Sequence, residues 1–308
     1  MDLGFYTKML TIRLLEDELQ KLCNLGEAGD LHFNKGQEAI AVGACSALET
    51  TDYIVVHHRT IAHAIAKGVP LHPLVAEILG KSTGVCGGRA GEMHLSYPSV
   101  RFMFSFQLVG TCVPVAAGLA WAVKRFRKSG DVVAVFHGDA ATSNAQWHEG
   151  LNMAAVLGVP LLLLCENNGL AGNVPASYYL PTLTVAERAL GYGIKANRVD
   201  GNRVNEVFNA VKEASEQVRE ESRPFLLELC TTRLSCHKQG QRDIRSKEEL
   251  EELAKRDPLL LEERRLGLSE ETKNQLRSSL QQEVSAVIYQ ARHDLPPSLA
   301  DLLERYGS

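Results

Sequence analysis

Apolar residues recur at three- and four-residue intervals through residues 5–25 and stop at Gly26, which predicts an opening helix. GQEAIAVGACSALE (36–49) predicts a second helix, and DYIVVHHR (52–59) a strand ending in a basic turn. A helix over 113–126 leads into the strand VVAVFHG (132–138), and a helix from about Asn144 to Leu157 leads into LLLLCEN (161–167). Further on come a helix at Val185–Tyr192, a short strand near Val199, a helix at 203–221 and the strand FLLELCTTR (225–233). Strands that are apolar almost throughout and alternate with helices predict an α/β fold, a parallel sheet covered by helices on both faces. After Ser235 the chain becomes charged, and residues 246–308 read as helical and partly solvated. The expected division is therefore 1–235 as the α/β domain and 236–308 as a charged loop with a helical C-terminal extension.

Composition narrows the classes. At 308 residues and 45% hydrophobic, the chain can bury a large core. A net charge of −4 argues against a role on nucleic acid or a membrane surface. No apolar run is long enough for a spanning helix, and the amphipathic start is unlike a signal peptide. Seven scattered cysteines without a CxxC indicate neither a disulfide framework nor a zinc ribbon, so a reduced, cytoplasmic protein is expected.

The densest chemical signal runs from Gly138 to Asn168. One strand ends in Gly-Asp and the next in Glu-Asn-Asn, with room for one crossover helix between them. That arrangement sets Asp139 and Asn168 side by side at the carboxyl edge of the sheet. Mg²⁺ takes hard oxygen ligands and is usually held by few protein groups plus substrate phosphates. Asp139 offers a carboxylate, Asn168 an amide oxygen and Leu170 a backbone carbonyl. Gly138 permits a tight turn, and the helix that follows is expected to aim its N-terminal amides at a diphosphate. The purely structural alternative is an Asp cap and a polar turn. Glycines clustered in GKSTGVCGGRAGEMH (80–94) suggest a flexible binding loop. Cys236 beside His237 could suggest a nucleophilic pair, but adjacent residues rarely aim both side chains at one point.

With these motifs in place, the chain resembles the alpha subunits of the thiamine-diphosphate-dependent, decarboxylating component of 2-oxo acid dehydrogenases, pyruvate and acetoin types. HFNKGQEAIAVGACSAL resembles the family's His-xxx-GQEA helix, HHRTIAHAIAKG its basic turn, and GKSTGVCGGRAGEMH its Gly-rich loop. VGTCVPVAAG, VDGN and the strand before His237 also match. The resemblance implies a thiamine diphosphate-binding fold and a cofactor held with Mg²⁺. His58 and Arg59 would meet the diphosphate; of His57 and His58, only one is expected to face the site. Gln107 and Val109 would lie against the cofactor, and Gly138, Ala140 and Ala141 would give contacts near the metal ligands Asp139, Asn168 and Leu170. His32 and His237 would be the catalytic histidines beside the reacting carbon. The family's pyrimidine-activating glutamate comes from a beta subunit, so an α₂β₂ heterotetramer is implied.

Four departures stand out. The family's GDG is GDA here; if Ala140 had positive φ, alanine would cost roughly 1 kcal/mol. Ile61 replaces a polar residue two positions after the arginine. FMFSFQLVG (102–110) puts Phe104, Phe106 and Gln107 where small residues usually lie, and CHKQGQRD (236–243) replaces the loop that meets the lipoyl domain. The expected function is the alpha subunit of an enzyme that decarboxylates a 2-oxo acid or cleaves an acyloin. Its acyl acceptor would be a lipoyl group, a carrier-bound thioester (biosynthetic acyl transfer) or an aldehyde. The alternatives are the N-terminal subunit of a split transketolase and a catalytically silent regulatory paralogue.

Overall fold

The computed structural model describes residues 2–127, 130–181 and 184–300. The chain opens with α1 (Asp2–Asn24) and α2 (Glu38–Ala47), followed by β1 (Tyr53–His57), α3 (Ile61–Lys67), α4 (Leu71–Ile78), β2 (Phe102–Phe106) and α5 (Cys112–Ala122). Next come β3 (Val133–Gly138), α6 (Ala145–Leu157), β4 (Leu161–Asn167), the two-residue strands β5 (Leu170–Ala171) and β6 (Val174–Pro175), α7 (Val185–Leu190) and β7 (Lys195–Asp200). The last elements are α8 (Val204–Glu221), β8 (Phe225–Cys230), α9 (Lys247–Ala254), α10 (Pro258–Leu266) and α11 (Glu270–His293).

Six strands form one wholly parallel sheet in the order β2-β1-β3-β4-β8-β7, as the apolar strands predicted. Side chains alternate across it. Ile54, Val56, Ala134, Phe136, Leu162, Leu164, Leu227 and Leu229 join the core shared with α1, α2, α3 and α8. Tyr53, Val55, Val133, Val135, Leu161, Leu163 and Leu226 face α5, α6 and α7. Leu280, Val284, Ile288 and Ala291 of α11 are buried in the first of these cores, where α11 packs on α1 and α4.

The sequence reading differed in several places. The segment 102–106, to which no element was assigned, is the edge strand β2, and the short helices α3 and α4 were not predicted. The helical C-terminal stretch divides into three helices up to His293, breaks over 294–298 and turns helical again at 299–300; residues 301–308 of that prediction lie outside the described residues. The Gly-rich stretch 80–94 forms turns and no regular element, as expected, and is held together by side-chain hydrogen bonds. Buried Glu77 gathers it by accepting the amides of Cys86 (2.7 Å), Gly88 (2.8 Å) and Ala90 (2.6 Å). Gly84 lies so close to Glu77 that a Cβ would sit 2.4 Å from Oε2, so its lack of a side chain serves close approach.

The strand order also decides where a ligand can sit. From β1 the chain moves outward to β2, then returns to place β3 on the other side of β1. The helices flanking such a reversal leave a crevice at the carboxyl ends of the two central strands. Those ends carry His57, His58 and Arg59 from β1, and Gly138 and Asp139 from β3.

Candidate active site

A cleft of about 470 Å³ opens at this position. It brings together all twelve residues singled out from the sequence: His32, His58, Arg59, Gln107, Val109, Gly138, Asp139, Ala140, Ala141, Asn168, Leu170 and His237. Phe104 and Phe106 do not line it, and Ile61 is fully buried in the core at the start of α3. Both His57 and His58 reach the cleft, contrary to the expectation that only one would.

Parallel pairing of β3 with β4 sets Gly138 opposite Glu166, so Asp139 and Asn168 emerge from neighbouring strand ends. Asp139 is 1% exposed, and burial pushes its carboxyl up to about 6. Tyr179 opposes that shift by donating its hydroxyl to Oδ2 at 2.5 Å, and the amides of Asn168 and Ala140 act in the same sense. Among the described residues Asp139 has no cationic side chain at ion-pair distance. Asn168 Oδ1 accepts the amide of Leu170 at 3.0 Å, and its Nδ2 donates to Gln37 Oε1 at 2.8 Å. A buried carboxylate without a cation, beside an amide oxygen and a carbonyl, fits a hard divalent cation.

The chain after Asp139 departs from expectation. It makes a 3₁₀ turn over Asp139–Ser143 before α6 starts at Ala145, and the Asn144 side chain caps α6 by accepting the Gln146 amide. The amides nearest Asp139 therefore belong to that turn, where Ala140 and Ala141 face the cleft. The positive-φ residues other than glycine are Arg101 and Ser222 among the described residues, so alanine at 140 carries no backbone penalty.

Two guanidiniums stand on the cleft wall. Arg59, 3% exposed, donates to the carbonyls of Phe33 and His237, and Arg233, 2% exposed, to those of Gly172 (2.7 Å) and Ser235 (3.2 Å). Neither has a carboxylate within ion-pair distance among the described residues. Burial lowers both, Arg233 to about 10, and both remain cationic at neutral pH. A buried acid without a cation and buried cations without an acid, around one cavity, match a polyanion carried with a divalent metal.

Three histidines converge at the mouth. The ring of His32 lies 4.7 Å from that of His58 and 5.2 Å from that of His237, and the latter two are 5.7 Å apart. Burial holds His32 and His237 down to about 4, and nearby Arg59 adds to the effect, so both are neutral imidazoles at neutral pH. The loop carrying His32 is pinned through alternate amides: His32 donates to Glu92, Asn34 to Glu16 and Gly36 to Glu38. Gly36 has φ +94°, and a Cβ there would lie 2.4 Å from the Thr232 carbonyl. This close approach brings the His32 loop against the segment leading from β8 to His237. The Cys236 thiol donates to the Lys238 carbonyl and makes no pair with His237.

Sequence reasoning missed Tyr179, Arg233, Glu92 and the histidine–glutamate cluster behind the β1 end. There Glu166 Oε1 lies 2.6 Å from His63 Nε2, and Oε2 lies 3.3 Å from His57 Nε2. Glu166 was within reach, since it is the acidic residue of the Glu-Asn-Asn motif itself. Tyr179 and Glu92 sit in segments with no periodicity, and only their partners identify them.

The matching family model is the dehydrogenase E1 component, over residues 6–299. The alpha subunit of acetoin:2,6-dichlorophenolindophenol oxidoreductase from Bacillus subtilis (strain 168) is 36% identical over 260 residues, 83% of this chain and 78% of the relative. The pyruvate dehydrogenase E1 component subunit alpha of Rickettsia felis is 34% identical, covering 83% of this chain and 79% of its own. The 2-oxoisovalerate dehydrogenase subunit alpha of Bacillus subtilis (strain 168) is 32% identical over 93% of this chain and 88% of the relative.

Proposed function

The chain belongs to the dehydrogenase E1 component family, and we propose that it is the alpha-type, thiamine-diphosphate-binding subunit of an enzyme that decarboxylates a 2-oxo acid or cleaves an acyloin. The observation that carries this reading is the placement of buried, cation-free Asp139 beside Asn168, with buried, acid-free Arg59 on the same cleft. In this reading Asp139, Asn168 and the Leu170 carbonyl hold Mg²⁺. Arg59 and His58 donate to the diphosphate, and Ala140 and Ala141 bring their backbone close to it. Val109 and Gln107 lie against the ring system. When bound, the cofactor supplies the electron sink for decarboxylation.

The protein's own share is binding, orientation and proton movement. Arg233, buried and without a carboxylate at ion-pair distance among the described residues, gives the wall a positive character that draws a 2-oxo acid carboxylate. His32 and His237, neutral at working pH, exchange protons with groups beside the reacting carbon. A beta subunit supplies the glutamate that activates the pyrimidine ring, in an α₂β₂ assembly. The α/β domain is residues 1–235, and 236–308 is the charged loop and helical extension, whose first residues bring His237 to the cleft. Seven free cysteines and the lack of any helix long and apolar enough to cross a membrane, among the described residues, support a cytoplasmic setting.

The test is to co-purify the chain with a beta-type partner and titrate thiamine diphosphate with and without Mg²⁺. The pair should then be assayed for CO₂ release from 2-oxo acids with a dye, a lipoyl domain, an acyl carrier protein or an aldehyde as acceptor. Mg²⁺-dependent binding that is lost in Asp139→Ala supports the reading. Binding that ignores Asp139→Ala, or ketose transfer without decarboxylation, overturns it.

A further inference from the structure

Glu92 comes from the end of the Gly-rich segment and is 4% exposed. Its carboxyl oxygens accept the backbone amide of His32 at 2.9 and 3.1 Å, and Oε1 lies 2.6 Å from His32 Nδ1. Burying a carboxyl group is expensive unless its partners are good ones, and an apolar residue would fill this space without that penalty. The His32 ring itself lines the cleft, edge-on to His58 and His237. With Nδ1 committed to Glu92, Nε2 is the nitrogen left for a bound group.

We propose that Glu92 is the positioning residue of His32 and that the two form a proton relay, in which Glu92 serves the cleft through the imidazole. In the resting pair the carboxyl carries a proton hydrogen-bonded to Nδ1, and Nε2 carries the second proton. When Nε2 gives its proton to a bound group, the carboxyl proton moves to Nδ1. The ring remains neutral throughout and changes tautomer, while the negative charge appears on Glu92, where the His32 amide and Arg59 stabilise it. Taking a proton at Nε2 reverses each transfer. Burial favours the uncharged resting state, since it raises Glu92 to about 8 and lowers His32 to about 4. The other titratable groups facing the pair are Arg59, His58, His237, Lys238, Asp30 and Cys23. Arg59 and Lys238 favour release of the proton, and Asp30 opposes it.

The role in turnover rests on the function proposed above, but the hydrogen bond does not, and the experiment separates them. Proton NMR of the full chain should show a far-downfield exchangeable resonance from the shared proton, absent in Glu92→Gln and in His32→Ala. In the complex with its beta partner, loaded with thiamine diphosphate and Mg²⁺, Glu92→Gln should lower kcat by roughly 10²–10⁴-fold with KM and cofactor affinity nearly unchanged. The alkaline limb near pH 8 should disappear from its pH profile, and Glu92→Asp should recover part of the rate. In a His32→Ala background, Glu92→Gln should cost no further activity, because the two act as one unit. The proposal is overturned if the wild-type resonance is missing or survives Glu92→Gln, or if the two substitutions lower kcat independently. If the wild-type complex fails to bind thiamine diphosphate, the function falls while the NMR result still decides the pair. If Glu92→Gln does not fold, the wild-type resonance and the Glu92→Asp pH profile decide it.

Discussion

The backbone amide of Asn168 favours the charged form of the buried Asp139 carboxyl across the ends of two neighbouring parallel strands. The strand pairing that builds the core thus also builds the pair assigned to a metal. Each residue directly follows the last residue of its strand, so the β3–β4 pairing sets them side by side before any ligand arrives.

Asp139→Asn keeps the shape and removes the charge. It should abolish the Mg²⁺-dependent part of thiamine diphosphate binding, a loss of at least about 100-fold in affinity. The ligand-free protein should be as stable as wild type or more so, because a buried uncompensated acid has been neutralised. Thermal melts with saturating cofactor check both halves: a ligand at about 1,000 times its Kd stabilises wild type by roughly 4 kcal/mol and should leave the variant unmoved.

Gly36→Ala tests the joint between the His32 loop and the segment leading to His237. Positive φ and a Cβ 2.4 Å from the Thr232 carbonyl cannot both be accommodated without moving the loop. A loss of about 3 kcal/mol or more is expected in urea unfolding. Gly29→Ala, with nothing within 4 Å of the added carbon, is the matched control and should change stability by less than about 1 kcal/mol.

Arg233→Met removes a buried cation and retains most of its apolar volume. The expected outcome is a rise in KM for the 2-oxo acid of about tenfold or more, with a smaller change in thiamine diphosphate affinity. Arg233→Lys should recover little, because the two carbonyl acceptors are arranged for a forked donor. Initial-rate kinetics on the assembled enzyme check this. Equal losses in cofactor and substrate binding would move Arg233 to the diphosphate.

Acid sensitivity follows from the mouth histidines. The folded-state values of His32 and His237, about 4, lie below their ordinary 6.5. Between those values the unfolded chain binds more protons than the folded one. Their stabilising contribution is therefore complete above pH 6.5 and is lost as pH falls through 4. Their ring resonances should not titrate between about pH 8 and pH 5, and His237→Gln should lose less stability than wild type on acidification over that window.

The fold and the Asp139–Asn168 end of the cleft were legible because each is written locally. The apolar runs of β3 and β4 fix a parallel pair, and residues that end such strands share an edge whatever the rest of the chain does. β2 escaped notice because Phe102–Phe106, apolar at four of five positions, reads only as part of the 102–110 departure from the family's stretch of small residues; its part-exposed side chains are those of an edge strand. α3 and α4 are too short to establish a helical period. The mouth of the cleft depends on meetings that no window of sequence contains: Tyr179 reaches Asp139 across 40 residues, and Glu92 reaches His32 across 60.

By itself the sequence determined the alternation of strand and helix, the parallel sheet and the strand-end pair Asp139 and Asn168 with Gly138 and Leu170 beside it, because periodicity and strand-end chemistry are short-range properties. The other cleft residues were named only through the resemblance to a family. Only the tertiary structure decided which carboxyl stands behind which imidazole, which arginines lack an acid, and where the C-terminal helices rest. Those outcomes depend on burial and on partners brought together by the strand order, and a residue's charge and proton affinity follow from such neighbours.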